Sequence, residues 1–208
     1  EFFSGLTDSS HLVRYPKLDI PEFWISPEWK EKTFYILVPG SSGAVAGKEW
    51  PPKFFSELAK KVFQKTGWEG LICGAEQEHK LGEKILKQCD APLQNYCGQT
   101  TLVELASLLS QCRLTISNDT GTVFLSSAVG TTSICILGGG HFGRFVPYPD
   151  LPGQANNLHT VYHKMPCYGC NWDCIFPITK GEPTPCIANI SVGLVWNKIS
   201  PLLTNKTL

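Results

Sequence analysis

Short apolar runs alternate with amphipathic helical segments from residue 33 onward, and this alternation restricts the fold more than any other feature of the chain. The first run, TFYILVPG at 33–40, is continuously apolar and ends in Pro-Gly, as expected of a parallel strand buried on both faces. Four further runs are predicted strands: GLICG, NYCG, RLTISND and TSICILG. The predicted helices are PKFFSELAKKVFQK, EQEHKLGEKILKQC, TLVELASLLSQC and the small-residue segment after Gly121. The sequence therefore predicts an α/β layer fold with a parallel sheet.

This alternation occupies the middle of the chain and divides it into three regions. Residues 1–32 are rich in Pro, Ser and aromatic side chains without periodicity, so we expect a linker or an irregular segment. Residues 33–150 form the predicted core, and residues 151–208 a cysteine-rich loop and C-terminal helix that pack on the same domain. The 208 residues, 42% of them hydrophobic, are enough for one sizeable core. The first residue is Glu1 rather than Met, so we expect a fragment or a processed form.

The charge balance limits the kinds of partner. Lys plus Arg equals Asp plus Glu at 18 each, so bulk charge predicts no nucleic-acid partner. No apolar run reaches the roughly 20 residues that cross a bilayer, and the N-terminus lacks a signal-peptide pattern. We therefore expect a cytoplasmic protein without a transmembrane segment. The odd number of cysteines agrees with a reducing compartment.

Four predicted strand ends are polar or rich in glycine. They are PGSSG (39–43), CGAEQE (73–78), NDTG (118–121) and GGGHFGR (138–144). Ligands of parallel α/β sheets bind beyond the carboxyl ends of the strands. We therefore expect these four loops to form one site.

Two familiar phosphate motifs fail in this region. GSSGAVAGKE resembles a P-loop, but Ser42 stands where the first Gly is required and Glu49 replaces the Ser or Thr after Lys48. GGGHFG fits G-x-G-x-x-G, yet Pro147 and Pro149 forbid the helix that should receive a pyrophosphate. Neither motif supports a Walker-type or dinucleotide-binding site.

A looser phosphate cradle remains. The hydroxyls of Ser41 and Ser42, nearby backbone N–H groups and the charge of Lys48 can bind phosphate oxygens, unless Lys48 is only a solvated loop residue. Gly121 permits close backbone approach at the start of a predicted helix. Asp119 either caps that helix or accepts hydrogen bonds from ligand hydroxyls, and the two roles are compatible.

The motifs PGSSGAVAGKEWPPKFFSELAKKV, LICGAEQEH, YCGQTTLVELASLL and ISNDTGTVFLSSAVGTTSICILGGG resemble, in order and spacing, the C-terminal domain of glycosyltransferase family 9. The resemblance covers residues 33–200, and this family includes the bacterial lipopolysaccharide heptosyltransferases. It implies a Rossmann-like domain that forms the donor-binding half of a two-domain GT-B enzyme. The N-terminal half, with the acceptor site and the catalytic base, has no counterpart here, so the catalytic base is unknown.

The resemblance also implies site residues. Ser41, Ser42 and Lys48 match positions that contact the donor phosphates. Glu78 matches the acidic residue that is expected to hold the ribose hydroxyls. Asp119, Thr120 and Gly121 match the donor-binding D-T/S-G element. In the following loop, His141 and Arg144 either engage a phosphate or the acceptor, or only brace the loop. Phe124 replaces a His that is usual in heptosyltransferases, which puts ADP-heptose as the donor in doubt.

The implied reaction is a single displacement with inversion at the anomeric carbon and without a required metal ion. Lys48, hydroxyls and helix amides can stabilise the leaving diphosphate, and no D-x-D motif follows the strand ends. An ADP-sugar donor and a glycan or glycolipid acceptor at the inner face of a bacterial membrane are implied by family analogy. The alternatives are a non-catalytic nucleotide-sugar-binding module and a sugar-nucleotide epimerase or hydrolase, for which only Glu78, Asp119 and His141 offer acid or base groups.

Nine cysteines fall into two groups. Cys73, Cys89, Cys97, Cys112 and Cys135 are scattered through apolar segments and are expected to pack as small core residues. The others form C-x2-C-x3-C-x11-C at Cys167, Cys170, Cys174 and Cys186. Three interpretations stay open for this cluster: a structural zinc ion or iron–sulfur cluster, disulfides formed on purification, and free thiols that pack a loop.

Overall fold

Six short strands form one parallel sheet in the computed structural model, which describes residues 14–21, 27–41, 45, 47–179 and 181–203. The strands are β1 (Phe34–Val38), β2 (Glu69–Ile72), β3 (Leu93–Asn95), β4 (Leu114–Asn118), β5 (Ser133–Ile136) and β6 (Leu158–Val161). Their order in the sheet is β3-β2-β1-β4-β5-β6, and every neighbouring pair is parallel. This is the strand order of the Rossmann fold, so the predicted α/β fold with a parallel sheet is confirmed.

Helices connect the strands. They are α1 (Pro27–Lys30), α2 (Pro52–Thr66), α3 (His79–Leu86), α4 (Leu102–Gln111), α5 (Gly121–Ala128), α6 (Pro185–Ala188) and α7 (Val192–Ile199), with 3-10 turns at Glu76–Glu78 and Ser200–Leu203. Local sequence sets their ends: α2 starts with a proline and ends at Gly67 with a φ of 71°. In α4, Thr101 and Glu104 form the capping box that their spacing predicts. No helix of the described ranges is long and apolar enough to cross a membrane.

Both faces of the sheet are covered, which explains the continuous apolar run of β1. Tyr35 and Leu37 pack in one cluster with Phe55 of α2 and Val195 of α7. Phe34, Ile36 and Val38 point to the other face, where Trp29 of α1 and Leu108 of α4 cover them. Because β1 lies between two helical layers, neither of its faces meets water, which fits its apolar sequence.

The chain changes direction between β1 and β4. From β1 the chain runs outward to β2 and β3, and from β4 it runs to the opposite edge. Val38 and Ser117 are register partners, so the segments that follow β1 and β4 leave the sheet at the same level. The crevice between two such diverging connections is where ligands of doubly wound sheets bind.

Several elements differ from the sequence-based expectation, among them strand β3, which lies at Leu93–Asn95 and shares only Asn95 with the predicted NYCG. Strand β6 pairs with β5, with Ile136 beside Val161, so the sheet extends one strand past residue 150. The short helix α1 lies in the segment expected to be irregular. Tyr15 lies beside the loop after β5, where its hydroxyl donates to the Pro149 carbonyl at 2.7 Å.

Candidate functional site

A cavity of about 720 Å³ opens at the carboxyl edge of the sheet, above the crevice between β1 and β4. It is lined by Val38, Gly40, Ser41, Lys48, Gly74, Ala75, Gln77, Glu78, Thr100, Thr101, Leu102, Leu105, Asp119, Thr120, Gly121, Thr122 and Leu125. Three of the four predicted strand ends contribute, together with the turn between β3 and α4. Its size and position suit a small ligand of nucleotide dimensions.

Asn118, the last residue of β4, holds the loops of this cavity together. Its buried side-chain amide donates to the Pro39 carbonyl at 2.6 Å and accepts from the Trp50 backbone N–H at 3.1 Å. The Trp50 indole donates to the Ile190 carbonyl at 2.7 Å. Asn118 thus connects the end of β1 with the segment that carries Lys48. This role was not predicted from the sequence, although an amide that can both donate and accept stands at the end of a predicted strand.

Lys48 and Asp119 meet across the crevice. The distance between Lys48 Nζ and Asp119 Oδ2 is 3.5 Å, and the two side chains are 17% and 7% exposed. Beside them, the buried Ser41 donates its hydroxyl to Glu49 at 3.1 Å. Ser42, the other predicted phosphate contact, lies outside the described residues. The predicted partners Ser41, Lys48 and Asp119 are therefore brought together at one end of the cavity.

The start of helix α5 faces the same end. Thr120, not Asp119, is the N-cap residue, and it makes no side-chain capping hydrogen bond within the described chain. At Gly121, a Cβ would meet no atom of the described residues within 4 Å, so a ligand can approach the backbone there. The first amides of a helix carry partial positive charge and bind anions. This terminus and Lys48 are the groups that can bind an anion here, beside the Asp119 carboxylate that pairs with Lys48. We call this part of the cavity its electropositive end.

Glu78 lines the cavity beside the ends of β1 and β2. Its carboxylate accepts a hydrogen bond from the Ala75 backbone N–H at 2.8 Å. A Cβ on Gly40 would lie 1.8 Å from Glu78 Oε1, and one on Gly74 would lie 2.4 Å from Oε2. Glycine at both positions leaves room for the carboxylate between the ends of β1 and β2, and the Ala75 N–H holds it there. A fixed carboxylate can accept hydrogen bonds from ligand hydroxyls.

The remaining wall is apolar. Val38, Leu102, Leu105 and Leu125 line it, and Leu102 is 72% exposed at the rim. The capping box orients this rim: hydrogen bonds from the backbone N–H and the hydroxyl of Thr101 hold the pKa of the Glu104 carboxyl below its usual value. The cavity therefore has an electropositive end, the Glu78 carboxylate beside the ends of β1 and β2, and an apolar wall. The contribution of Thr100–Leu102 was not predicted from the sequence.

The fourth predicted strand end does not line the cavity. Tyr168 and Trp172 cover the glycines that follow β5: a Cβ on Gly139 would lie 2.4 Å from the Tyr168 ring, and one on Gly140 would lie 2.4 Å from the Trp172 ring. The expectation that all four loops form one open site is therefore wrong for 138–144. The physical reason is that the cysteine-rich segment packs on this loop.

His141 and Arg144 follow those covered glycines. His141 Nε2 lies 2.8 Å from Asn171 Oδ1, and the Arg144 guanidinium lies 5.3 Å from the centroid of the Phe145 ring. Neither lines the cavity within the described residues. Phe124 lies 6.3 Å from Tyr148 between ring centroids and packs against the core cluster of Val123. These contacts fit a role in supporting the loop.

The four cysteines of the 167–186 segment line one small cavity. Cys186 is buried, its sulfur accepts from the Gly139 N–H at 3.4 Å, and it lies 3.3 Å from the Thr184 hydroxyl. All four are free thiols. Within the described chain, however, no three His, Cys, Asp or Glu side chains are arranged to hold a metal ion. The predicted cluster is thus brought together, but not in the geometry of a metal site.

The other five cysteines behave as predicted for core residues. Cys73, Cys97, Cys112 and Cys135 are buried, and Cys89 is half-buried. Burial raises the pKa of Cys112 to about 12. Burial, and secondly the charge of Asp119, raises the pKa of Cys135 well above its usual value. Such thiols stay protonated and act as small apolar side chains.

A six-stranded parallel sheet in this order, with a cavity at its switch point, defines a Rossmann-like α/β domain. The family model of glycosyltransferase family 9 (heptosyltransferase) matches residues 7–171, and the chain belongs to this family. It is 27% identical to lipopolysaccharide heptosyltransferase 2 of Salmonella typhimurium over 65% of its length, and 30% identical to lipooligosaccharide heptosyltransferase 2 of Campylobacter jejuni over 64%. The matches cover 39% and 41% of those relatives, so the chain spans about two fifths of their length.

Solved structures give the same result for the fold. E. coli ADP-heptose lipopolysaccharide heptosyltransferase II superposes with a TM-score of 0.67 at 20% identity, over 94% of this chain and 56% of that one. The iron-containing dodecameric glycosyltransferase TibC of enterotoxigenic E. coli superposes with a TM-score of 0.61 at 17% identity, over 82% of this chain and 45% of that one. The described fold is therefore that of about half of a heptosyltransferase.

Proposed function

We propose that this chain is the C-terminal, donor-binding part of an inverting, metal-independent glycosyltransferase of the heptosyltransferase type, which acts in the synthesis of bacterial lipopolysaccharide or another surface glycan. The observation that carries the proposal is the cavity at the β1–β4 crevice. It combines Lys48 and the α5 N-terminus at one end with the fixed Glu78 carboxylate and an apolar wall. We further propose that residues 33–203 form one donor-binding unit.

The electropositive end is assigned to the diphosphate. Lys48 is the only lysine or arginine among the described lining residues, and the amides at the start of α5 add partial positive charge. In a transfer reaction, negative charge develops on the leaving diphosphate as the sugar departs. A fixed ammonium and helix amides can stabilise that charge, which is the role that a divalent cation has in other enzymes.

The carboxylate and the apolar wall are assigned to the nucleoside. The Glu78 carboxylate is held by the Ala75 N–H at the cavity, and a carboxylate there can also accept hydrogen bonds from vicinal ribose hydroxyls. Leu102 and Leu105 offer an apolar surface for the nucleobase beyond it. We favour an ADP-sugar because TibC has been solved with ADP-D-beta-D-heptose, a donor of this class. Phe124 argues against heptose itself as the sugar, since heptosyltransferases usually carry histidine there.

The catalytic base and the acceptor site are assigned to the rest of the enzyme. Asp119 is buried and paired with Lys48, and Glu78 is fixed by the Ala75 amide, so both carboxylates are suited to binding rather than to proton transfer. A glycan or glycolipid acceptor at the inner face of the bacterial membrane fits the lipopolysaccharide function named for the relatives. A non-catalytic nucleotide-sugar-binding module would have the same cavity, and an upstream domain with an acidic residue facing it distinguishes the transferase.

Isothermal titration calorimetry tests the donor assignment. The chain is titrated with ADP, GDP, UDP and CDP at matched ionic strength. We expect micromolar to submillimolar binding of at least one diphosphate, with ADP the tightest, and no sugar transfer by this chain alone. The donor assignment is wrong if none of the four diphosphates binds at about 1 mM, which corresponds to a binding free energy of roughly −4 kcal/mol.

The variant Asp119→Asn tests which part of the ligand the carboxylate contacts. The substitution keeps the shape but makes the group a weaker acceptor, so we expect affinity for an ADP-sugar to fall about five- to twentyfold, or about 1 to 2 kcal/mol. Affinity for bare ADP should change less, since removing a negative charge near the phosphates offsets the loss of the Lys48 partner. The measurement is the ratio of the two dissociation constants in wild type and variant. An unchanged ratio would remove Asp119 from the sugar subsite.

A structural metal at Cys167, Cys170, Cys174 and Cys186 remains a proposal. Four thiols around one small cavity, and an iron-containing fold neighbour, favour it, whereas the described side-chain arrangement does not form a metal site. Elemental analysis of protein purified under reducing conditions should find about one equivalent of zinc or iron in wild type and in Cys89→Ser, and little in Cys170→Ser. Less than about a tenth of an equivalent in wild type would leave free thiols that pack the loop.

A further inference from the structure

Asn171 and Trp172 form a strained pair in the cysteine-rich segment. Their φ angles are 51° and 66°, which is the left-handed region that side-chain-bearing residues rarely adopt. Two hydrogen bonds hold Asn171 in place. Its backbone N–H donates to the Gly140 carbonyl at 2.9 Å, and its side-chain Oδ1 lies 2.8 Å from His141 Nε2. Such strain persists only where the surroundings impose it, and it concentrates at functional sites.

The strained backbone places the indole ring of Trp172 directly on the end of β5. A Cβ on Gly140 would lie 2.4 Å from the ring atom Cδ2, and a Cβ on Gly138 would lie 2.6 Å from Cη2. Because Gly138 and Gly140 have no Cβ, the ring lies closer to the backbone than a residue with a side chain at either position would allow. The position of the ring is therefore set by the sheet and not by a flexible loop.

The ring also faces the ammonium group of Lys48. Lys48 Nζ lies 5.6 Å from the Trp172 ring centroid and 3.5 Å from Asp119 Oδ2. The first distance is within the range of a cation–π interaction, which is strongest for tryptophan among the aromatic residues. Lys48 is on a loop and has four rotatable side-chain bonds, so without such contacts its ammonium would sample many positions. Asp119 and Trp172 together confine it at the cavity edge.

We propose that Trp172 is a positioning residue for diphosphate recognition, which acts by holding Lys48 Nζ at the electropositive end of the cavity. Trp172 does not line that cavity within the described residues, so it acts through Lys48 and not by touching the nucleotide. The proposal rests on the donor site proposed above. It gives the cysteine-rich segment a function: its packing on the β5 end sets the geometry of a phosphate-binding residue two strands away.

The test compares a diphosphate with the nucleoside that lacks it. Dissociation constants for ADP and adenosine are measured by ligand-observed NMR and calorimetry for wild type, Trp172→Phe and Trp172→Leu. We expect Trp172→Leu to weaken ADP binding about three- to tenfold and Trp172→Phe to weaken it less, with adenosine affinity unchanged within about twofold. A general loss of folding or of cavity shape would instead weaken both ligands together.

Two controls make the result specific. Trp196→Leu removes another tryptophan that faces a lysine, Lys61 at 6.0 Å, away from the cavity, and should leave ADP binding unchanged. In the Lys48→Ala background, Trp172→Phe should have no further effect, because the residue it positions is absent. Equal losses for ADP and adenosine, or an additive effect with Lys48→Ala, would overturn the positioning role while leaving the donor site intact. Absence of ADP binding by wild type would overturn both.

Discussion

The variant Lys48→Ala is expected to bind nucleoside diphosphates about ten- to a hundredfold more weakly than wild type, a loss of about 1.5 to 3 kcal/mol. Lys48 is the only lysine or arginine that lines the cavity in the described part of the chain, so no neighbouring cation replaces it. Its side chain is 17% exposed, and a charge-assisted hydrogen bond is stronger where water is partly excluded. Calorimetric titration with ADP measures the effect, and affinity for adenosine should change little.

Two further variants separate binding from the consequences of removing a charge. Lys53→Ala removes an exposed lysine of α2 that faces a different cavity and should leave ADP affinity unchanged. Lys48→Ala also leaves a buried, unpaired negative charge at Asp119. The double variant Lys48→Ala/Asp119→Asn removes that charge as well. If the double variant also binds ADP weakly, the lost ammonium is the cause. If Lys48→Ala binds ADP as tightly as wild type does, the loop that carries Lys48 is only a polar connector.

The sequence predicts the central strands because burial on both sheet faces leaves an unmistakable pattern. Every residue of β1 and β4 is buried. The sequence of β1 is a continuous apolar run, whereas β4 alternates apolar residues with the buried polar Thr115 and Ser117. Both edge strands were harder to predict: β3 starts two residues before the predicted NYCG, and β6 was not predicted. In β6, LHTV contains only two fully buried residues, and loop sequence precedes it. An edge strand has a partner on one side only, so its composition resembles that of a loop.

The sequence indicates which residues sit at strand ends but not what covers them. Sheet geometry brings Ser41, Lys48, Glu78 and Asp119 to one edge, as expected. The loop at 138–144 has the same glycine-rich character, yet Tyr168 and Trp172 fill the space above it. That contact joins segments about thirty residues apart in the chain, and no local pattern encodes it.

The role of Asp119 depends on which residue begins helix α5. From the sequence, the carboxylate could cap α5 or face a ligand. The helix begins one residue too late for capping by Asp119, because Thr120 is the N-cap residue. Asp119 instead extends beside the crevice, where its carboxylate meets Lys48. Helix boundaries are uncertain by one or two residues in any sequence-based assignment, so this distinction needed coordinates.

Asn118→Ala is expected to have the largest effect on stability, about 2 to 5 kcal/mol in the free energy of unfolding. It would leave the buried Pro39 carbonyl and Trp50 N–H without partners, and each such group costs about 1 to 3 kcal/mol. Asn95→Ala at the end of β3 removes hydrogen bonds to the His79 carbonyl, the Glu83 carboxylate and the Cys97 N–H. These groups are exposed or partly buried, so water can replace the bonds, and the variant should cost about 1 kcal/mol. Urea unfolding of the three proteins measures both. An Asn118→Ala variant within about 0.5 kcal/mol of wild type would show that the β1 and β4 loops are held by other contacts, and that the cavity does not depend on this amide.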